Sequence, residues 1–181
     1  MARSKSNPQI VLRPQDLVVL LRLALERGSA PTYAALAAEL GMTASEVHAG
    51  IERAVTAQLA HKDSGGKATV ILAALRAFVQ HGARYCFPAT RGSLTRGMAT
   101  GYAATPLKDL IIPSNDPLPV WPHRNGTVRG IALYPLYPRV PEAAARNPSL
   151  CELLVLFDAV RGGSARERAL ALELLDKRLQ A

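Results

Sequence analysis

Apolar residues recur at helical spacing near both ends of this chain and lose that spacing between Ala83 and Pro141. Pro14 suits the first turn of a helix that runs to about Arg27 and stops at Gly28. Leu17, Leu20, Leu21 and Ala24 share one face of it. Val18, Val19, Leu23 and Leu25 are apolar as well, so the pattern predicts burial on more than one side, centrally or at a subunit interface. After the loop 29–31, Leu36, Ala37 and Leu40 form the apolar face of a second helix, and Gly41 supplies a residue that enters the left-handed region without a Cβ clash. Val47 and Ile51 turn a third helix inward at i, i+4 spacing, and this helix is expected to continue to Leu59 or Ala60. Thr32 is a candidate N-cap, and Thr43 with Glu46 has the spacing of a capping box. Thr69–Gln80 reads as a further helix with Leu72, Leu75 and Val79 inward, joined by Ile71 and Phe78 and ended by Gly82.

Helical spacing returns after the middle segment. Pro141–Arg146 predicts a short helical turn, and Ser149–Arg161 an amphipathic helix with Leu150, Leu153, Leu154 and Phe157 inward, ended by Gly162-Gly163. Ser164 and Glu167 have the spacing of a second capping box, opening a helix with Ala165, Ala169, Leu172, Leu175 and Leu179 on one face. Leu170 and Leu174 widen that stripe, which suits either intramolecular core or a dimer seam. Between Ala83 and Pro141 the strand candidates are Ala83–Phe87, Thr95–Ala103, Val120–Arg124 and Thr127–Leu133, and Asn125-Gly126 has the composition of a two-residue hairpin turn. Pro106, Pro113, Pro117 and Pro119 leave the intervening stretch little room for regular structure.

Two short helices joined by a sharp turn at Gly41 are the layout of a DNA-binding helix-turn-helix, although an ordinary αα-hairpin needs similar apolar positions. Residues 61–68, HKDSGGKA, stand where a winged-helix protein carries its β-hairpin, but the flanking strands are not evident, so the wing is expected to be short or absent. The same stretch is not a phosphate loop, because His61 stands where the first glycine is required and Ala68 where a magnesium-binding hydroxyl is required. The expected fold class is therefore α+β. Residues 1–9 are expected to form a disordered basic arm carrying Arg3 and Lys5, and 10–82 a helix-turn-helix domain. Residues 83–140 are expected to form a small β-rich module of three to five strands for sensing, dimerisation or docking, and 141–181 the C-terminal helices.

The net charge of +8 favours an acidic partner, nucleic acid first. Its distribution qualifies this. Residues 1–80 hold nine Lys/Arg against six Asp/Glu, residues 81–140 seven against two, and residues 141–181 six of each. Either the middle segment also meets a phosphate backbone, or its arginines serve another acidic ligand, or the basic surface is simply solvated. Arg84, Arg91, Arg96, Arg124 and Arg129 lie in sequence near Tyr85, Tyr102, Trp121 and Tyr134, and arginines beside aromatics can stack on nucleotides as well as pack a small sheet. Cys86 and Cys151 match no metal-ligand spacing and read as small core residues. His48, His61, His81 and His123 show no ligand or catalytic spacing, so no enzyme activity, metal or cofactor is expected. With no apolar leader in the first ten residues and no apolar run long enough to span a bilayer, a cytoplasmic protein without membrane contact is expected.

Over Pro14–Ala60, carried by Leu36, Ala37, Leu40, Gly41, Met42, Val47 and Ile51 after the apolar helix LVVLLRLAL, the chain resembles bacterial helix-turn-helix and winged-helix transcription regulators, loosely of the MarR type. The resemblance implies a homodimeric regulator of double-stranded DNA, here an autorepressor, with the third helix in the major groove. With Val47 and Ile51 inward, helix-turn-helix geometry directs Thr43, Ala44, Ser45, His48, Ala49 and Glu52 outward, and the residues expected on DNA are these with Thr32 and Arg53, and Lys62 and Lys67 from the wing region. The β-rich middle has no counterpart in that architecture. A second expectation is therefore an antitoxin-like or adaptor protein that holds a partner protein through its β-rich and C-terminal parts. A third is a nucleic-acid chaperone that uses the arginine-rich middle.

Overall fold

The computed structural model describes residues 9–26, 28, 31–112 and 116–180, so all of the expected basic arm except Gln9 lies outside the described residues. The fold is mixed α+β. In chain order it runs α1 (Pro14–Ala24), α2 (Tyr33–Leu40), α3 (Ala44–Thr56), β1 (Ala60–Lys62), β2 (Ala68–Val70), α4 (Leu72–His81), α5 (Ala83–Cys86) and β3 (Arg91–Ala99). It continues through β4 (Pro119–Pro122), β5 (Val128–Leu133), α6 (Val140–Arg146), α7 (Pro148–Gly162) and α8 (Ala165–Gln180). Two 3-10 turns, Gly101–Ala103 and Leu107–Asp109, fill part of the proline-rich stretch.

Two helices apolar on nearly every side form the centre. Leu17 to Leu21 of α1 are each no more than 1% exposed, and every residue from Leu153 to Val160 of α7 is buried. The two helices pack on each other, so the all-round apolar pattern of α1 is satisfied within this chain. One connected apolar cluster runs from Leu17 through Ile51, Leu75 and Trp121 to Leu179. Of the inward positions read from helical spacing, Leu36, Leu40, Val47, Ile51, Leu75, Val79, Leu150, Leu153, Phe157 and Leu175 belong to it, whereas Ala165 and Ala169 are exposed.

Several boundaries differ from expectation. The third helix ends at Thr56, not at Leu59 or Ala60, because the chain turns at Gln58, a non-glycine residue with φ of 59°. Ala68–Val70 is a strand and not the start of α4: it pairs antiparallel with Ala60–Lys62, His61 opposite Thr69. The stretch that lacked evident flanking strands is thus a short hairpin. Ala83–Phe87 is not a strand, since Ala83–Cys86 forms one helical turn with the Phe87 N–H donating to the Ala83 carbonyl. That turn leaves Cys86 exposed instead of in the core. Strand β3 starts earlier than expected and gives way to a 3-10 turn at Gly101.

The largest difference is at Asn125-Gly126. Strands β4 and β5 do not form a hairpin; they run parallel, Pro119 opposite Ile131, and each pairs antiparallel with β3, closing a three-stranded barrel. A type I′ turn needs positive φ at both central residues and a type II′ turn at the first, and neither Asn125 nor Gly126 has it. Instead the segment 123–127 crosses from one edge of β3 to the other. Gly97 pairs with Pro122 on one side and Val128 on the other. The crossing is so close that a Cβ on Gly126 would lie 2.2 Å from the Gly97 carbonyl carbon, and one on Gly97 2.0 Å from the Trp121 oxygen.

The barrel is tied to α7 by a buried polar node. Thr100 Oγ1 (2.8 Å) and Trp121 Nε1 donate to Asp158 Oδ2, and Arg161 Nε donates to Asp158 Oδ1 at 2.7 Å. Arg161 Nη2 also donates to the Tyr134 carbonyl at 2.6 Å, so one arginine joins α7 to the end of β5. No helix among the described residues is long and apolar enough to cross a membrane.

Candidate functional site

The candidate site is the outer face of α3 with the segments that border it. The α2–α3 turn is built locally. Thr32 Oγ1 accepts from the Ala35 N–H at 3.2 Å and caps α2. Gly41 sits at φ 68°, ψ 33°, the left-handed conformation. Thr43 and Glu46 form the reciprocal box: Thr43 Oγ1 accepts from the Glu46 N–H at 3.1 Å, and Glu46 Oε2 from the Thr43 N–H at 2.8 Å. With Val47, Gly50, Ile51 and Ala54 buried, α3 presents Thr43, Ala44, Ser45, His48 and Glu52 to solvent, and Ala49 half-buried between them. Much of the Thr43 side chain's bonding capacity is used on its own cap.

The Glu46 carboxyl is held below its ordinary range by the hydrogen bonds from the Thr43 backbone and hydroxyl. A depressed carboxyl contributes stability that is complete above its unfolded pKa and is lost as pH falls through the lowered folded value. Acidification below the ordinary carboxylate range therefore weakens the cap at the start of α3. The urea midpoint of Glu46→Gln is expected to fall less on acidification than that of the wild type, and equal falls would contradict this. At neutral pH, Thr43→Ala is expected to cost about 1 kcal/mol.

Two cations expected on DNA are committed elsewhere. Arg53 Nε and Nη2 donate to Asp16 Oδ2 and Oδ1, each at 2.7 Å, with the Asp16 side chain 1% exposed. The pair holds the Arg53 guanidinium above its ordinary pKa and locks α3 onto α1. Lys62 on β1 pairs with Glu52 and lies 5.9 Å from the centre of the Tyr33 ring. That hydrogen bond draws Glu52 below its ordinary range and raises Lys62. The hairpin is thereby fixed against both helices, because the Tyr33 hydroxyl also donates to the Gly66 carbonyl at 3.1 Å. Lys67 sits at the hairpin tip, where its N–H and that of Gly65 bond Asp63 Oδ1. His48 lies between the Tyr33 ring, 5.6 Å centre to centre, and Glu52, at 3.3 Å.

Other neighbours of α3 come from distant sequence. Arg139 packs its stem on Gly41, where an added Cβ would meet the Arg139 Cβ at 3.1 Å. The Tyr137 hydroxyl donates to the Gly41 carbonyl at 3.3 Å, and Arg146 Nη1 to the Ala38 carbonyl at 2.9 Å. The α2–α3 turn is thus braced from the segment before α6 and from α6 itself. On another side residues 9–13, ahead of α1, border α3 across a shallow groove lined by Ile10, Val11, Arg13, His48, Ala49 and Glu52. Arg13 and Arg139 are exposed cations beside α3 that the sequence reading did not single out. Arg13 precedes the start of α1 and was open to selection on that ground, whereas nothing local marks Arg139, 98 positions beyond Gly41.

The arginines of the middle segment do not converge on one point. Arg84 covers its neighbour Tyr85 at 5.0 Å. Arg91 donates to the Gly162 carbonyl at 2.9 Å. Arg96 and Arg129 face each other across β3 and β5, and Arg124 lies in the crossing segment just before β5. Trp121 is buried and bonded to Asp158, so it offers no stacking surface. Cys151 is half-buried on α7, and burial pushes its thiol up, away from a reactive thiolate. No family model, no curated protein and no solved structure matches this chain.

Proposed function

We propose that this chain is a sequence-preferring duplex-DNA-binding regulator that acts as a homodimer on its own promoter. In this reading α2, Gly41 and α3 are a helix-turn-helix, and the β1–β2 hairpin is the short wing of a winged helix. The observation that carries it is the start of α3: two capped helices meet at a left-handed glycine, and the N-terminal half of α3 stands clear of the core with Ala44, Ser45, His48 and Ala49 outward. That half of the second helix enters the major groove in such proteins. Ser45 and His48 read base edges, Thr43 and the N-terminus of α3 meet a phosphate, and Arg13 and Arg139 supply flanking phosphate contacts. Arg53 and Lys62 act through position, holding α3 and the hairpin in register. The outward face has few long side chains, so discrimination is modest and partly a matter of DNA shape.

Fluorescence anisotropy on the DNA upstream of the protein's own coding sequence and on a scrambled duplex tests this. The wild type is expected to prefer the upstream duplex, and Ser45→Ala with His48→Ala to reduce that preference by about tenfold or more. Equal affinity of the wild type for both duplexes would remove the sequence-reading role. Absence of binding to either, with a stoichiometric protein co-purifying, would favour the adaptor reading.

A further inference from the structure

The outer face of the β3–β5 pair carries a charge arrangement that the fold does not explain. Arg96 lies directly opposite Arg129, and Leu94 directly opposite Ile131. Positions two apart on a strand share a face, so the four side chains form two adjacent cross-strand pairs, one doubly cationic and one apolar. Both arginines are exposed, and Leu94 is 47% exposed. Arg124 is exposed just before β5, and the His123 N–H bonds the Arg96 carbonyl, which places the crossing segment against the cationic pair. Like charges directly opposite each other on a sheet are destabilising. Among the described residues no ion pair reaches Arg96, Arg124 or Arg129. Glu142 of α6, near this segment, faces His123 at 3.7 Å and not an arginine.

The face of α3 shows the opposite condition. Of the cations expected there, Arg53 is bonded to Asp16 and Lys62 to Glu52, and Glu46 and Glu52 add negative charge. A protein that binds duplex DNA must neutralise several phosphates, and α3 itself supplies little of that charge, leaving Arg13 and Arg139 as the exposed arginines beside it. We propose that Arg96 and Arg129 on the β3–β5 face, with Arg124 of the adjoining crossing segment, form a second nucleic-acid surface that grips the phosphate backbone of the duplex α3 reads. Guanidinium forks suit phosphate oxygens. The surface contributes affinity without sequence preference, whereas α3 contributes preference with little charge. The inference rests on the DNA reading of α3, and the two fail separately.

The experiment is an anisotropy salt series on two duplexes of different sequence, with a polyglutamate peptide as a competing polyanion. Arg96→Gln with Arg129→Gln is expected to weaken binding to both duplexes by the same several-fold factor. It is also expected to reduce the magnitude of the slope of log affinity against log salt by about 2, one phosphate for each arginine. The pair Arg96→Lys with Arg129→Lys is expected to retain most of the slope. The glutamine variant is expected to melt no lower than the wild type, because a like-charge pair is relieved. Loss of preference in the Ser45→Ala, His48→Ala variant with an intact slope separates the α3 contribution. An unchanged slope in the glutamine variant would overturn the proposal. So would a fall in melting temperature large enough to account for the lost binding, or arginine-dependent binding to polyglutamate with none to DNA.

Discussion

Asp158→Ala is expected to lower the stability of the fold by about 3–5 kcal/mol, the range for breaking one partner out of a buried ion pair. The Asp158 carboxylate accepts from Thr100, Trp121 and Arg161, and the side chains of Asp158 and Arg161 are 3% and 4% exposed. Truncation leaves a guanidinium without its counter-charge in a place water barely reaches, and leaves the Trp121 N–H and the Thr100 hydroxyl without their acceptor. It also loosens the hold of α7 on the barrel, because Arg161 continues to the Tyr134 carbonyl. Urea unfolding measured by circular dichroism checks this. A loss below about 1 kcal/mol would mean that the node contributes far less than its burial implies. If Asp158→Ala does not accumulate as folded protein, Thr100→Val keeps the ion pair and removes one hydrogen bond, with an expected cost of about 1–3 kcal/mol.

Asp16→Ala is expected to cost about 3 kcal/mol, at the low end of the same range because Arg53 at 15% exposure can turn toward water. Asp16 does two things. It takes both arms of Arg53 from α3, and its Oδ2 accepts from the Arg13 N–H at 2.8 Å at the start of α1, where a negative charge also suits the helix dipole. The variant is therefore expected to release α3 from α1 and weaken DNA binding without touching DNA. Arg53→Gln separates position from contact. If Arg53 serves only to hold α3, stability falls while the salt slope of binding stays at the wild-type value. A slope reduced by about 1 with unchanged stability would make Arg53 a phosphate contact.

Local features were legible in the chain, and long-range ones were not. Helical spacing placed Leu36, Val47, Ile51, Leu75 and Leu153 inward, and the Thr43–Glu46 and Ser164–Glu167 boxes form as their spacing implies. Gly41 takes the conformation that a sharp turn between two helices requires. Each of these depends on residues a few positions apart. The hairpin at residues 60–70 was harder to see because its strands are three residues long, too short for alternation to register. Asn125-Gly126 misled because composition alone favours a hairpin, whereas the chain crosses over β3 there and the glycine serves a close backbone approach. The partners of Arg53, Asp158 and Gly41 come from 37, 58 and 98 positions away, respectively Asp16, Thr100 and Arg139, and no local pattern reports such pairings. The candidate site divides the same way. The outward face of α3 follows from its inward face, but which neighbouring cations remain available follows only from tertiary packing.

The central claim is that the N-terminal half of α3 lies against DNA. The most direct measurement is the change in backbone amide NMR shifts of the 15N-labelled protein as duplex DNA is added at moderate salt. The account predicts the largest shifts at Thr43–Ala49, with smaller ones at Arg13, the hairpin tip and the Arg96–Arg129 face. Shifts confined to other elements, such as the groove between α4 and α8 lined by Arg76, Leu172 and Asp176, with Thr43–Ala49 unmoved, would contradict it.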